Sequence, residues 1–447
     1  MQQSGEDQPR VAFVHAAARF HYALAVAVQR AGMLDRMYTE WFVTPSSAAE
    51  RVSKLVRLFK RDLGQRMLER ANPYIDPAKV VRRSTVPILV AQRLARQKLT
   101  GRYESLTRVM IKSAKATLRK GFGDANIVMA FLRDNHPSLF EGARAMGLAT
   151  VGDQIIAPAA IEYEELTKQF DRWPQWQRVE WFDYLPKIAE MERKCWAQLD
   201  HVTCGSDYVK QGLISQGVEA DRVSVLPYPL DVENYPFIDR RRGTAGRGAT
   251  EPVTVGFVGH VHLRKGAPYF VEVAKRLRGK NIRFVMVGPI YLEPTVVDAH
   301  RNVVDFVGAV ARSQVKQWLR RFDVLLFPST CEGSASAVME AMATGLPVVT
   351  SANSGTVARD GVEGFITPYD DVEAMAQQIE RLAGDEELRH EMGRAASRRA
   401  GTFSLDWYSR EIGGVFLRLI AQRHKAAAPV VHSHETQAVG EPTPQYS

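Results

Sequence analysis

Pro328-Ser-Thr-Cys-Glu332-Gly-Ser-Ala-Ser-Ala-Val-Met-Glu340-Ala-Met-Ala-Thr-Gly345-Leu-Pro-Val-Val349 follows the apolar run Asp323 to Phe327, and its reading decides the fold. The run is expected as a buried strand, the residues from about Ala335 as a helix, and Pro347 to Thr350 as the next strand. Strand and helix alternate in this way in a parallel sheet wound with crossover helices. A loop at a strand's C-terminal end, feeding a helix rich in small residues, offers backbone N–H groups and a positive dipole end to an anion such as a diphosphate. Gly333, Ser334, Ala335 and Ser336 leave room for close approach. Glu332 and Glu340 lie eight residues apart. That is about 12 Å if wholly helical, wider than the roughly 5 to 9.5 Å between paired glycosidase carboxylates, so they make a poor acid/base pair. Flanking an anion site, they could hold two hydroxyl-bearing parts of one long ligand, such as a sugar and a ribose. Singly, each reads as a surface helix residue.

Upstream, Val255-Gly-Phe-Val-Gly259-His-Val-His-Leu-Arg264-Lys265-Gly266 is a second strand-to-helix loop. Its glycines permit tight backbone geometry, and Arg264 with Lys265 supplies cationic donors for phosphate oxygens. Alone it reads as a solvated pair; beside the Glu332 loop it becomes half of a diphosphate clamp. Strands are further expected at Thr254–Val258 and Arg283–Val287, with helices beginning near Gly266, Ser313 and Asp371. This makes residues 253–423 one α/β domain with terminal helices, and 424–447 a polar tail expected to be disordered.

A glycine- and arginine-rich stretch, 240–252, reads as a linker to a second α/β unit, 1–239. Strands are expected there at Arg10–His15, Ile127–Phe131, Ala149–Gly152, His201–Cys204 and Val223–Leu226, with helices at Tyr22–Gly32, Ser138–Met146 and Ser206–Gln216. Between them, 47–120 reads as an insertion of basic amphipathic helices. The whole is an α/β chain of two Rossmann-like domains facing across a cleft. At 447 residues the chain exceeds what one core organises, and 45% hydrophobic with 24% charged residues is a globular composition.

Apolar runs fall far short of the roughly 20 residues that cross a bilayer, so no spanning helix is expected. Met1 to Arg10 shows no apolar signal core, and Cys195, Cys204 and Cys331 lack metal or redox spacing. The expectation is a cytoplasmic chain with three reduced thiols, no disulfide and no metal site. The net charge of +9 is regional: residues 51 to 120 hold 19 Lys or Arg against four acids. Such a block can attract anionic lipid, nucleic acid or an anionic acceptor, or form solvated helices; nucleic acid is the least expected of these.

Taken together, Glu332 and Glu340 in a Glu-x7-Glu pattern, Ala341-Met-Ala-Thr-Gly-Leu-Pro-Val348, the Gly259 to Gly266 loop and Gly361-Val-Glu-Gly364-Phe-Ile resemble the family 4 retaining glycosyltransferases of GT-B fold. Pro227-Tyr-Pro-Leu-Asp231 and Ser206-Asp-Tyr-Val209 are similar to segments that close the family's N-terminal domain. The resemblance implies transfer of a sugar from a nucleotide-diphosphate donor, a co-substrate and not a cofactor, without a required metal. It implies that Glu332 touches the sugar hydroxyls, Glu340 the ribose, Lys265 and Arg264 the diphosphate, and backbone near Val310 the base. His260 stands where many members carry an arginine, which bears on donor choice.

On the acceptor side, His15, Arg19 and His21 follow the first strand, Asp134 and His136 another, and Asp153, a catalytic candidate with Glu332 and Lys265, falls near where some relatives carry a functional histidine. Each of these residue types is also common as a satisfied structural group. The expected acceptor is a glycan, a lipid-linked molecule or a small molecule. Trp173, Trp176, Trp181 and Trp196 could stack on sugars or pack internally. Competing readings are another nucleotide-sugar enzyme on the same architecture, such as an epimerase or a phosphorylase, and a membrane- or nucleic-acid-binding module built on 51–120.

Overall fold

Along Val11-Ala-Phe-Val14 the side chains alternate between two cores, Val11 and Phe13 in one and Ala12 and Val14 in the other, and all four are buried. A strand apolar on both faces belongs inside a parallel sheet covered by helices on each side. That is its place in the computed structural model, which describes residues 8–15, 19–83, 102–177, 182–241 and 251–427.

The first sheet contains β1 (Val11–Val14), β2 (Leu34–Thr39), β3 (Val80–Arg82), β4 (Ile127–Phe131), β5 (Ala149–Gln154), β6 (His201–Cys204) and β7 (Val223–Val225), in the order β3-β2-β1-β4-β5-β6-β7. The second contains β8 (Val253–Val258), β9 (Ile282–Val287), β10 (Asp305–Gly308), β11 (Val324–Phe327), β12 (Val348–Thr350) and β13 (Gly364–Ile366), in the order β10-β9-β8-β11-β12-β13. Neighbouring strands pair in parallel throughout both sheets. Strand order reverses beside β1 and beside β8, and sheets of this type bind ligands at the C-terminal strand ends next to that reversal.

Four strands lie where none was expected. β3 falls inside the stretch read as purely helical and closes one edge of the first sheet; the helices Ala48–Phe59, Arg61–Leu68 and Arg102–Lys120 surround it in sequence. Residues 84–101 and Trp181 lie outside the described residues. β2 interrupts its apolar positions with Asp35 and Arg36, which are partly exposed, while β10 is an edge strand with no fully buried position. β13 is only three residues long.

The domains exchange segments. The last helix, Leu405–Ala427, was expected to finish the C-terminal domain. Its buried face of Tyr408, Ile412, Val415, Phe416, Leu419 and Ile420 instead joins the core built from Val11, Phe13, Leu24 and Met129 of the first domain. The spacing is that of one helical stripe, and burying each such side chain contributes about 1.5–3 kcal/mol. In return, the helix Ala159–Arg172, which packs Ala159 and Leu166 against Leu185 and Ala189, reaches across with the residues after it to the second domain. Trp176 enters that core with Trp173 packed against it, Tyr269 donates to Gln169 at 2.7 Å, Tyr369 to Glu165 at 2.6 Å and the Leu263 N–H to Gln177 at 2.8 Å. Trp196 stays in the first domain and donates to Gln154. No helix among the described residues is long and apolar enough to cross a membrane.

At the expected linker, Arg240 is held by the carbonyls of Leu319, Phe322 and Thr344, and 242–250 lie outside the described residues. The tail's first residues continue the last helix to Ala427, and 428–447 lie outside the described residues.

Candidate functional site

After β8 the backbone turns at Gly259 (φ 146°) and makes one 3-10 turn, Leu263–Lys265, capped by the His262 ring accepting the Lys265 N–H at 3.3 Å. Gly266 has φ 75°, and a Cβ there would sit 1.8 Å from the Pro328 carbonyl oxygen, so only glycine lets this turn abut the loop after β11. The two loops are bonded together: the Thr330 N–H donates to the Arg264 carbonyl at 2.9 Å, and the Ser329 and Thr330 hydroxyls both donate to it at 3.0 Å.

This places Lys265 Nζ 2.7 Å and Arg264 Nη1 3.5 Å from Glu332 Oε1. The three side chains are 16%, 18% and 12% exposed respectively, a rim open to the cleft and otherwise enclosed. Burial raises the pKa of the Glu332 carboxyl, but Arg264 and Lys265 outweigh it and hold the group below its ordinary value. Burial lowers the Lys265 ammonium, with Glu332 opposing. Two cations share one carboxylate at the strand-end reversal, which leaves the trio with a net positive charge. A diphosphate can replace Glu332 as partner of the cations and free the carboxylate for hydroxyl groups.

Glu340, in the helix Ser336–Ala343, is half-buried and faces the Tyr235 hydroxyl. Burial raises its pKa, and Tyr235, Arg312 and Lys316 act against that. Gly333 departs from its expected use as room for a ligand. A Cβ there would meet the Ile155 carbonyl oxygen at 1.8 Å, and Ser206 Oγ donates to the Gly333 carbonyl, so the space is taken by the opposite domain. Ala335 donates its N–H to Ser354 at 3.0 Å, Ser334 packs close to Gly205, and Ser336, at the helix start, is exposed. Val310 follows β10 and packs against the second core. His260 is exposed, 5.3 Å from the Tyr291 ring; burial, then Lys265 and Arg264, lower its pKa.

The acceptor-side residues separate. Asp153 is 1% exposed, and its carboxylate accepts from Thr203 at 2.8 Å and Tyr228 at 2.7 Å. Both oxygens are engaged inside the sheet, so we correct its catalytic assignment to a structural one. His15 is fully buried among the rings of Phe13, Tyr22 and Phe131. His136 caps the helix Pro137–Ala145 by accepting the Ser138 N–H. Asp134 ends a 3-10 turn close to the buried Arg83 and Glu40. The side chains of Arg19 and His21 lie outside the described residues.

Sequence reading missed Glu162 and Glu192. Arg133, at the end of β4, donates to Glu192 at 2.8 Å and pairs with Glu162 at 2.5 Å, and Glu192 also accepts the Ala159 N–H at 2.6 Å. Glu162 lies 3.6 Å from Arg264 Nε. A run of Glu162, Glu164 and Glu165 looks like a solvated helix face, and nothing in it singles out the buried member.

Residues 252–385 match the family model described as glycosyl transferases group 1. A D-inositol 3-phosphate glycosyltransferase of Paenarthrobacter aurescens is 27% identical over 224 residues, 45% of this chain and 55% of that protein. The chain spans about half the length of that curated relative. Sucrose-phosphate synthase from Thermosynechococcus elongatus superposes with a TM-score of 0.63 at 16% identity, over 93% of this chain and 100% of that one. Anabaena HepE in complex with UDP gives 0.57 at 14% identity, over 91% and 99%. The fold is therefore GT-B, and residues 252–385 of this chain are similar to the group 1 glycosyl transferases.

Proposed function

We propose that the protein is a retaining glycosyltransferase that moves a sugar from a nucleotide-diphosphate donor to an acceptor hydroxyl, in the assembly of a glycan or glycolipid. The observation that carries this reading is the enclosed Arg264, Lys265 and Glu332 cluster at the strand-end reversal of the family-matched domain. As the bond to the sugar breaks, the leaving diphosphate gains negative charge, and fixed cations stabilise that charge in the transition state. Arg264 and Lys265 supply the positive charge that a metal would otherwise bring. Glu332, released from them, accepts from the sugar hydroxyls. Glu340 accepts from the ribose, and backbone near Val310 meets the base. The name of the inositol-phosphate relative supports a polyol or glycan hydroxyl as acceptor.

Screening nucleotide sugars for thermal stabilisation tests this, since a ligand at 100 times its dissociation constant adds about 2.7 kcal/mol. For Glu340→Ala the expected result is binding of the stabilising donor weakened about 10- to 100-fold, the loss of a charged hydrogen bond worth about 1.5–3 kcal/mol. Unchanged affinity would remove Glu340 from the site.

We further propose that the helix Ala48–Phe59 meets an anionic membrane surface, where a lipid-linked acceptor resides. Val52, Leu55, Leu58 and Phe59 are 44%, 56%, 78% and 79% exposed, among exposed Arg51, Lys54, Arg57 and Lys60. Apolar side chains can enter the headgroup level while each cation near the surface adds about 1 kcal/mol. Co-sedimentation at low salt should be greater with phosphatidylglycerol vesicles than with phosphatidylcholine alone; equal recovery would leave this helix a solvated cover of its domain.

A further inference from the structure

Arg264 is enclosed, yet its strongest neighbours in the second domain leave much of the guanidinium undirected. Its Nη1 donates to the Cys331 carbonyl at 3.1 Å, and Glu332, the other contact within that domain, is the carboxylate that donor binding would draw away. The remaining anion comes from the strap helix Ala159–Arg172. Glu162, only 3% exposed, places Oε1 3.6 Å from Arg264 Nε while Oε2 is bound by Arg133 of the first domain. One carboxylate therefore joins two arginines from opposite sides of the cleft.

Both ends of that link are fixed. Arg133 is gripped by Glu192 and by the Ala157 carbonyl at 2.8 Å. The strap is fastened to the second domain through Gln169, Gln177 and Trp176. Glu162 can move relative to Arg264 only if this packing shifts. Arg264 Nε makes no hydrogen bond among the described residues, so Glu162 acts on it as a charge 3.6 Å away; a fixed counter-charge on that side biases the plane of the guanidinium, on which bidentate recognition of phosphate oxygens depends.

We propose that Glu162, anchored by Arg133, is a positioning residue that orients Arg264 for the donor diphosphate, so that the donor site of the second domain is completed by a carboxylate from the first half of the chain. The inference rests on the donor-site reading above. When the diphosphate takes Glu332's place beside Arg264 and Lys265, Glu162 remains as the fixed counter-charge. It keeps Arg264 from following Glu332 and leaves its Nη atoms toward the phosphates.

The test is a double-mutant cycle on the affinity for inorganic pyrophosphate, measured by calorimetry with the full chain. Glu162→Gln turns a donating amide toward one of the two arginines and should weaken pyrophosphate binding about tenfold in the wild-type background. In an Arg264→Gln background the same change should alter affinity less than twofold, because the group it orients is gone. A purely structural role would give equal losses in both backgrounds, and that result, or no loss in either, overturns the inference. If Arg264→Gln alone leaves pyrophosphate affinity unchanged, the donor-site reading itself is wrong. Loss of a buried partner can unfold a protein; should Glu162→Gln not fold, Glu162→Asp keeps the charge, withdraws the carboxylate by one methylene and carries the same cycle with the same criteria.

Discussion

Lys265→Ala is expected to lower kcat/KM by about 10²–10³, the range found when one fixed donor to a developing oxyanion is removed. The ammonium lies 2.7 Å from Glu332 and 5.0 Å from the centre of the Phe327 ring, enclosed on the side away from the cleft. Water cannot readily stand in for a charge in such a place, and Arg264 alone cannot neutralise both Glu332 and an arriving diphosphate. The loss should therefore appear in kcat as well as in donor binding, because the leaving diphosphate carries more charge in the transition state than the bound donor does. Breaking a buried ion pair also costs stability, so a melting curve must accompany the kinetics. Arg264, 3.5 Å from Glu332, keeps that carboxylate from being left unpaired. A folded Lys265→Ala variant with wild-type turnover would show that the stabilising cation lies elsewhere.

Gly333→Ala should act through a different route. The added Cβ would lie 1.8 Å from the Ile155 carbonyl oxygen, 2.6 Å from its carbon and 2.9 Å from the Ile156 Cα, all backbone of the facing domain. No side chain can swing away to relieve such contacts, and ordinary packing leaves little slack. The domains must separate locally by an ångström or more, which strains the Ser206 bond to the Gly333 carbonyl and moves the first domain away from the loop after β11. Misplacement on this scale costs about 10²-fold in an oriented reaction. The expected result is a fall in kcat larger than the change in donor KM, with a more open domain arrangement in solution scattering. Wild-type kcat would mean that catalysis does not use the domain contact seen here.

Legibility from sequence followed burial. β4 and β6 were readable to the residue because Ile127 to Phe131 is a short apolar run and His201 to Cys204 a short run of strand-favouring residues, each followed closely by polar residues. β2 was not, because Asp35 and Arg36 break its pattern where the strand is only partly covered. The loops after β8 and β11 were legible as strand-to-helix turns, since glycine, small residues and charge recur at strand ends in a fixed order. Asp153 shows the opposite case. A carboxylate near a strand end looks available until its partners, Thr203 and Tyr228, arrive from 50 and 75 residues away. Glu162 is the mirror image: it looks like one more acid on a solvated face, and only tertiary packing buries it between Arg133 and Arg264. The last helix misled for the same reason, since an apolar stripe such as Tyr408, Ile412 and Phe416 specifies that a face is buried but not which domain covers it.

The most direct test of the central claim follows the anomeric proton of the transferred sugar by NMR, with the nucleotide sugar that stabilises the wild-type protein and a polyol or glycan acceptor, for wild type and Glu332→Gln in parallel. The account predicts a product with the donor's anomeric configuration from the wild type, and formation slowed at least about 10²-fold by Glu332→Gln, because the carboxylate freed from Arg264 and Lys265 is the group that holds the sugar. An inverted product, or equal rates for the two proteins, would contradict it.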